Sequence, residues 1–357
     1  REPAWRLNAL TKTLSSPDIC GNHAAMRILR HFHNVAEADR GAVVALGNFD
    51  GLHHGHRTVI GEAGRIARAT GAPLGVLTFE PHPRLFFQPD TVPFRLTPFR
   101  PKMRLLEELG VDITYNLRFG PGIAGRLAPE FVIDVLVEGF SISHLVVGPN
   151  FVFGKGRHGN AYILRQMAAR EGFGFTEVEP VMTGDQGGAK GDGRMYASTD
   201  IRVLVRRGQV DEAAARLGRA WEIEARVQHG DARGTTLGYP TANLPVVGAL
   251  HPDPGIYAVR VGMIENGVFG WHNGAAYIGT RPTFAGEETL LEVFLLDFKG
   301  DLYGKRLRVA FVERVRGDKA FDNPEALIAQ MDLDCDRARE ILGRETAPPA
   351  QPALVNA

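Results

Sequence analysis

Residues 47–56 read GNFDGLHHGH and follow directly on the apolar run Val43–Leu46. A strand that ends in glycines and hands the chain to a helix start is the opening unit of a parallel, doubly wound sheet. Gly47, Gly51 and Gly55 let backbone N–H groups approach a phosphate closely, and the helix N-terminus beyond them favours negative charge. His53 and His56 are three residues apart and can face one ligand from the first helical turn. Imidazoles placed there can donate to phosphate oxygens as charge builds up in an in-line displacement.

Downstream of this string the pattern of strand and helix repeats. Strand-like runs fall at Leu74–Phe79, Ile113–Leu117, Leu145–Val147 and Phe173–Val178. Between them one helical face carries Val59, Ala63, Ile66 and Ala67. A second helix is predicted from a cap at Thr97-Pro98 to Gly110, and a third from Ala128-Pro129 to Gly139. A fourth has Ile163, Leu164, Met167 and Ala168 on one side and stops at Gly172. A parallel sheet of this kind holds ligands at the carboxyl ends of its strands. After a glycine-rich loop at 183–194 come two short helices, Ser198–Arg207 and Val210–Leu217.

At Trp221 the period changes to two, with Trp221, Ile223, Ala225 and Val227 on one face and Glu222, Glu224, Arg226 and Gln228 on the other. Further strands are predicted at Ile256–Val261, Leu290–Asp297 and Leu307–Val315, a spacing that argues for an antiparallel barrel or sandwich, and a barrel is the reading taken. A closing helix is expected from Asn323-Pro324, with Leu327, Ile328 and Met331 turned inward. The fold class is therefore α/β plus all-β.

The 357 residues carry 41 Lys plus Arg against 41 Asp plus Glu, a balance that disfavours a bulk nucleic-acid binder. Cys20 and Cys335 are too few for a disulfide framework or a Cys-based zinc site. Neither a long apolar span nor a secretory leader is evident, so a cytoplasmic protein with no membrane partner is expected. Residues 1–25 and the Pro/Ala-rich 346–357 are patternless and are expected to be disordered extensions. Oligomeric state is left open, a homo-oligomer included.

Four other stretches bear on chemistry. In YASTDIR, Tyr196 to Arg202, Ser198 and Thr199 are read as helix caps, with Arg202 pointing back to the same end to suit a triphosphate. In TFEPHPR, Thr78 to Arg84, Pro81 and Pro83 stiffen a loop, and Phe86 beyond it can stack on an aromatic ligand. GPNFVFGKGRHGN (148–160) contains a literal G-x-G-x-x-G, but too far from its strand, and on the wrong strand, for a dinucleotide fingerprint. In GDARGTTLGYPTANL, Gly230, Gly234 and Gly238 make a flap, while Thr241 and Asn243 alternate to one face and suit Mg²⁺. Glu292, in LLEVFLLDF, is either an outward-facing strand residue or a general base.

Taken in order, GNFDGLHHGH, TFEPHPR, STDIR, GYPTANL, NGAAYIGTRPTF (273–284) and LEVFLLDFKGDLYGK (291–305) closely resemble the bacterial bifunctional riboflavin kinase/FMN adenylyltransferases, over about 26–343. The resemblance implies an adenylyltransferase at 26–205, which makes FAD from FMN and ATP, and a riboflavin kinase at 206–345, with ATP as substrate and Mg²⁺ as cofactor. It implies that His53 and His56 stabilise phosphates in the transition state, and that Ser198, Thr199 and Arg202 hold the β- and γ-phosphates. Gly47, Phe49, Asp50 and Gly55, with the flap glycines, would line the ATP sites. Pro81, Pro83, Phe86 and Asn150 would line the flavin side. In the barrel, Thr241 and Asn243 would hold the metal, and Glu292 would be the base for the terminal ribityl hydroxyl. The chain departs from the family pattern at Asn150, at Ala197 and at Tyr277.

Overall fold

The structure is a computed structural model that describes residues 25–184, 193–229, 239–246, 249–265, 268–283 and 286–344. The expectations for 1–24, 346–357 and the flap glycines Gly230, Gly234 and Gly238 lie outside the described residues.

The first half contains strands β1 (Arg27–Leu29), β2 (Val43–Leu46), β3 (Leu74–Glu80), β4 (Ile113–Arg118) and β5 (His144–Val147), a ribbon of β6 (Val152–Phe153) and β7 (Gly159–Asn160), and β8 (Gly174–Glu177). Six of them form a sheet in the order β1-β4-β3-β2-β5-β8, every pair parallel. The chain winds outward from β2 to β3 and β4, then returns past β2 to β5, so the switch point is the crevice between the carboxyl ends of β2 and β5. GNFDGLHHGH leaves β2 at this point, and GPN leaves β5.

Helices cover both faces: α1 (His54–Thr70), α2 (Pro83–Phe87), α3 (Phe99–Glu108), the short turns α4 (Pro121–Ala124) and α5 (Ala128–Glu130), a π-helix at Phe131–Gly139, and α6 (Ala161–Glu171). Val43 and Ala45 enter one core while Val44 and Leu46 enter the other, which is why β2 reads as an unbroken apolar run. Edge strand β1 was not foreseen. Nor did Thr97 turn out to cap the second helix: Pro98 stands at the cap, and the Thr97 hydroxyl accepts from the Gly51 N–H at 3.2 Å. The G-x-G-x-x-G string is the turn of the β6–β7 ribbon, set apart from the end of β5 and so not a strand-to-helix phosphate turn.

After α7 (Ser198–Arg206) and α8 (Val210–Leu217) the second sheet begins. It comprises β9 (Trp221–Arg226), β10 (Ala242–Pro245), β11 (Gly255–Glu265), β12 (Val268–Thr283), β13 (Gly286–Leu295) and β14 (Arg306–Gly317). Its order is β10-β13-β12-β11-β14-β9, antiparallel throughout. The two edges meet at a Gln228–Asn243 bridge, which curls the sheet toward a barrel. The alternation from Trp221 to Val227 is realised, all four apolar residues being buried. A closing helix, α9 (Pro324–Arg344), begins at Asn323, whose Oδ1 accepts from the Ala326 N–H at 2.8 Å. Its buried face is Cys335, Ala338, Ile341 and Leu342. Leu327, Ile328 and Met331, expected inward, are only half-buried, because the helix meets the sheet with its second half.

One hydrophobic core joins the halves. Ile201 and Val205 of α7, Val210, Ala213 and Leu217 of α8, and Leu96 from the first half all pack with the barrel interior. The Trp221 indole donates to the Leu96 carbonyl at 3.0 Å, and Arg104 of α3 reaches Glu222 of β9 at 2.9 Å. Among the described residues no helix is long and apolar enough to cross a membrane.

Candidate active sites

The loop from β2 to α1 is built on unusual backbone. Phe49, Gly51 and Leu52 have φ of 48°, 95° and 43°, a left-handed path that brings successive N–H groups toward the switch point. His53 is the N-cap of α1, its Nδ1 accepting from the His56 N–H at 3.4 Å. A neutral imidazole that accepts at Nδ1 carries its proton on Nε2, so His53 presents a donor to whatever lies beyond the helix end. The rings of His53 and His56 stack with centroids 3.7 Å apart. Burial, with the neighbouring His54 next, pushes the His53 pKa down to about 4. Burial, together with the charges of His53, Lys102 and Arg202, pushes His56 well below the ordinary histidine value. Both rings are therefore neutral at pH 7. The His56 Nδ1 is buried and has no hydrogen-bond partner among the described residues.

Two motifs far apart in sequence meet at Asp50. Its carboxylate, 2% exposed, accepts from Arg202 at 2.6 Å, from the Thr97 N–H at 2.9 Å and from the Leu96 N–H at 3.2 Å. Burial alone would raise its pKa. The Arg202 and Arg95 guanidiniums and these hydrogen bonds outweigh that and hold the group below its usual value. The Asp50 carbonyl accepts from the Ser198 hydroxyl at 2.8 Å. Ser198 and Thr199 do not cap α7 as read from sequence. Ala197 occupies the cap with no side-chain bond, so the α7 N-terminus is not covered by a cap of its own. Thr199 is exposed at this end. Arg202 is fixed a second time by the Phe94 carbonyl at 2.9 Å.

The other predicted residues of this half are dispersed. The Phe49 ring is turned into the core beneath Gly47, where a Cβ would lie 3.1 Å from it, and meets the His56 ring edge-on with centroids 5.4 Å apart. Gly55 lies against His53 and Tyr196. Pro81 and Pro83 bracket His82 at the start of α2, and Asn150 is exposed in a left-handed turn with φ 57°. A chain of ring contacts joins these loops, from Phe151 and Phe153 through Phe131 and Phe79 to Phe119, Phe86 and Phe87.

Several residues here gave little or no sequence signal. Arg95 makes a paired contact with Glu80, at 2.8 and 3.1 Å. Lys102 of α3 is fully buried, its Nζ donating to the Asn48 carbonyl at 3.2 Å and the Thr78 hydroxyl at 3.3 Å. The trace it leaves is a lysine beside Met103, Leu105 and Leu106 on an otherwise apolar helix face.

In the barrel, strand register does the assembling. Asn243 of β10 pairs with Glu292 of β13, which pairs on its other side with Tyr277 of β12. Thr241, two residues before Asn243, is half-buried beside this row. Leu291 and Val293 point into the barrel core, so Glu292 and Phe294 face outward, where Phe294 meets Tyr239 and the α9 cluster. Glu292 is thus an outward-facing strand residue, and half-buried as well. The Tyr277 hydroxyl lies 3.4 Å from Asp318. Thr241, Asn243 and Glu292 carry hydroxyl, amide and carboxylate oxygens, the ligand types that a hard cation takes.

A parallel switch-point sheet with a histidine pair at a helix N-terminus, joined to a barrel carrying a carboxylate–amide row, defines an α/β nucleotidyltransferase fused to a β-barrel kinase. The family model of FAD synthetase matches residues 35–189, and that of riboflavin kinase matches residues 217–342. The bifunctional riboflavin kinase/FMN adenylyltransferase of Escherichia coli (strain K12) is 38% identical over 320 residues, spanning 89% of this chain and 98% of the relative. That of Bacillus subtilis (strain 168) is 34% identical over 319 residues, spanning 88% and 96%. Among solved structures, a macrolide-efflux protein from Streptococcus pneumoniae superposes with a TM-score of 0.76 at 29% identity, over 88% of this chain and 99% of that one. The chain belongs to the bifunctional riboflavin kinase/FMN adenylyltransferase family.

Proposed function

We propose that the chain makes FAD in two ATP-dependent steps, riboflavin being phosphorylated in the barrel at 206–345 and FMN adenylylated in the α/β half at 26–205. In the first step Glu292 takes the proton of the terminal ribityl hydroxyl, that oxygen attacks the γ-phosphorus of ATP, and ADP leaves. Thr241 and Asn243 are the residues to hold Mg²⁺, which when bound neutralises charge on the phosphates. Phosphoryl transfer asks mainly for positioning and charge neutralisation, and the Asn243–Glu292 register supplies the first.

In the second step a phosphate oxygen of FMN attacks the α-phosphorus of ATP and pyrophosphate leaves. The nucleophile is already ionised, so no base is needed. What the step needs is donors where negative charge accumulates. The observation that carries this reading is the convergence of two helix N-termini on one node. His53 caps α1, α7 begins at Ser198, and Asp50 binds both Ser198 and Arg202. His53 Nε2–H, His56, Ser198, Thr199 and Arg202 then serve the ATP phosphates, with the backbone of Gly47, Phe49 and Gly55 around them, while Asp50 holds Arg202 from behind. Pro81, Pro83, Phe86 and Asn150 line the flavin side of the aromatic chain. The same reading puts the enzyme in the cytoplasm, acting on small molecules and not on nucleic acid or a membrane.

The test is chromatographic separation of flavins after incubation of the protein with riboflavin, ATP and Mg²⁺. FMN followed by FAD is expected. FMN alone would overturn the assignment of the α/β half; no phosphorylated flavin would overturn that of the barrel, and the same incubation with FMN supplied then tests the α/β half by itself.

A further inference from the structure

The charges beneath the β2–α1 loop do not cancel. Arg95 is taken up by Glu80, and Arg202 by Asp50. Lys102, fully buried, has only neutral partners within hydrogen-bond reach among the described residues, the Asn48 carbonyl and the Thr78 hydroxyl. Three cations thus stand against two carboxylates in one buried cluster. An ammonium buried without a counter-ion costs several kcal/mol of solvation free energy, roughly, which a fold does not need to bear when an apolar side chain would fill the same space. Burial, with Arg95 alongside, outweighs the attraction of Glu80 and Asp50 and draws the Lys102 pKa down to about 8.

The place of this charge is informative. Lys102 holds the carbonyl of Asn48, the residue before the left-handed Phe49, and its field reaches His56. The segment that carries it also holds the loop at Asp50, through the Leu96 and Thr97 N–H groups, and at Gly51, through the Thr97 hydroxyl. A loop with two non-glycine residues in the left-handed region keeps its shape only when its surroundings over-determine it. The α3 segment is therefore both the template of the phosphate loop and the source of its uncompensated positive charge.

We infer that Lys102 is a positioning residue of adenylyl transfer, its buried charge completed by the polyphosphate of ATP, which it senses through the Asn48–Asp50 loop without touching it. The inference rests on the adenylyl-transfer reading of this half.

Lys102→Met preserves side-chain volume and removes the charge. The kcat/KM for ATP in FAD formation from FMN is expected to fall about 100-fold, of the size seen when one electrostatic donor is removed. The unfolding midpoint without ATP is expected to hold or rise, since an uncompensated buried charge has gone. Lys102→Arg, which keeps the charge, is expected to stay within about tenfold of wild type. A purely structural lysine would behave oppositely, with midpoint and activity falling together. FMN formation by the same preparation reports that the barrel has folded. Should Lys102→Met fail to fold, Lys102→Gln, which keeps a donor for Asn48 and Thr78, carries the same expectation for kcat/KM. Either variant within about threefold of wild type overturns the inference. If wild type itself makes no FAD from FMN and ATP, the reading of the site fails and the inference falls with it.

Discussion

Asp50→Asn removes one negative charge and almost no volume from the node that joins the N-termini of α1 and α7. Asp50 is 2% exposed and serves Arg202, Thr97 and Leu96, with Arg95 a further 3.9 Å away. Removing one partner of a buried ion pair costs about 3–5 kcal/mol, because the other charge stays buried without compensation. Asparagine keeps one acceptor oxygen and so one of the two backbone bonds, which favours the lower end, about 3 kcal/mol. For a unit of 150–250 residues that is a fall in Tm of about 6–12 °C. Trp221 is a built-in probe, since its indole donates to the carbonyl of Leu96, whose own N–H is held by Asp50. Melting followed by tryptophan emission should show the shift, and the KM for ATP in FAD formation should rise about tenfold as Arg202 loses its tether, an effect of about 1.4 kcal/mol. The Asp50 pKa lies below its ordinary 3.8, so its stabilisation is full above that value and is lost only as pH falls through the lowered one. The gap between wild type and variant should therefore be constant across neutral pH and close only in strong acid. An unchanged melting temperature together with a wild-type KM for ATP would refute the account of Asp50 as the anchor of this node.

Glu292→Gln should abolish FMN formation and leave FAD formation from supplied FMN intact; near wild-type FMN formation would show that Glu292 is not the base. His53→Ala should lose FAD synthesis only, by about 100-fold in kcat, and loss of both activities would show that the halves do not act independently. His53 is buried neutral with a pKa of about 4 against an ordinary 6.5, so the unfolded chain binds the proton first, and stability present above about pH 6.5 is lost as pH falls toward 4. The loss from this one group amounts to about 3 kcal/mol, with His56 and His82 acting in the same direction. Unfolding midpoints measured between pH 8 and pH 5 should decline below about pH 6.5, less steeply in His53→Ala, and a flat profile would contradict the buried neutral state.

What the sequence revealed follows from how each residue meets its neighbours. β9 was legible because one face is core and the other is a salt-bridged surface, Glu222 with Arg104 and Arg308, so the alternation is strict. β12 was not, although it has 16 residues. Its glycines blur the period, and one of them has a local cause: a Cβ on Gly274 would lie 2.9 Å from the Phe294 carbonyl. The histidine string was legible because phosphate chemistry needs those residue types adjacent in sequence. Lys102 and Arg95 were hidden because they reach the site from another element, and only folding reveals that adjacency. Phe49 belongs to the same string, yet its side chain serves the core, a division between backbone and side chain that residue identity does not encode.

α7 carries Ser198 and Arg202 on one side and Ile201 and Val205 on the other, the first pair meeting Asp50 and the second lying in the barrel core. On the ribosome this has a cost in time. The first sheet can close as soon as β8 emerges, but the barrel core that α7 packs against is complete only when β14 pairs with β9 and β11. At about 5–20 residues per second the nascent chain waits roughly ten seconds between those events, holding a finished sheet with an unfinished nucleotide site. A truncated product released in that interval would hold its histidines in place at the start of α1, with the helix that carries Arg202 not yet backed by the barrel core.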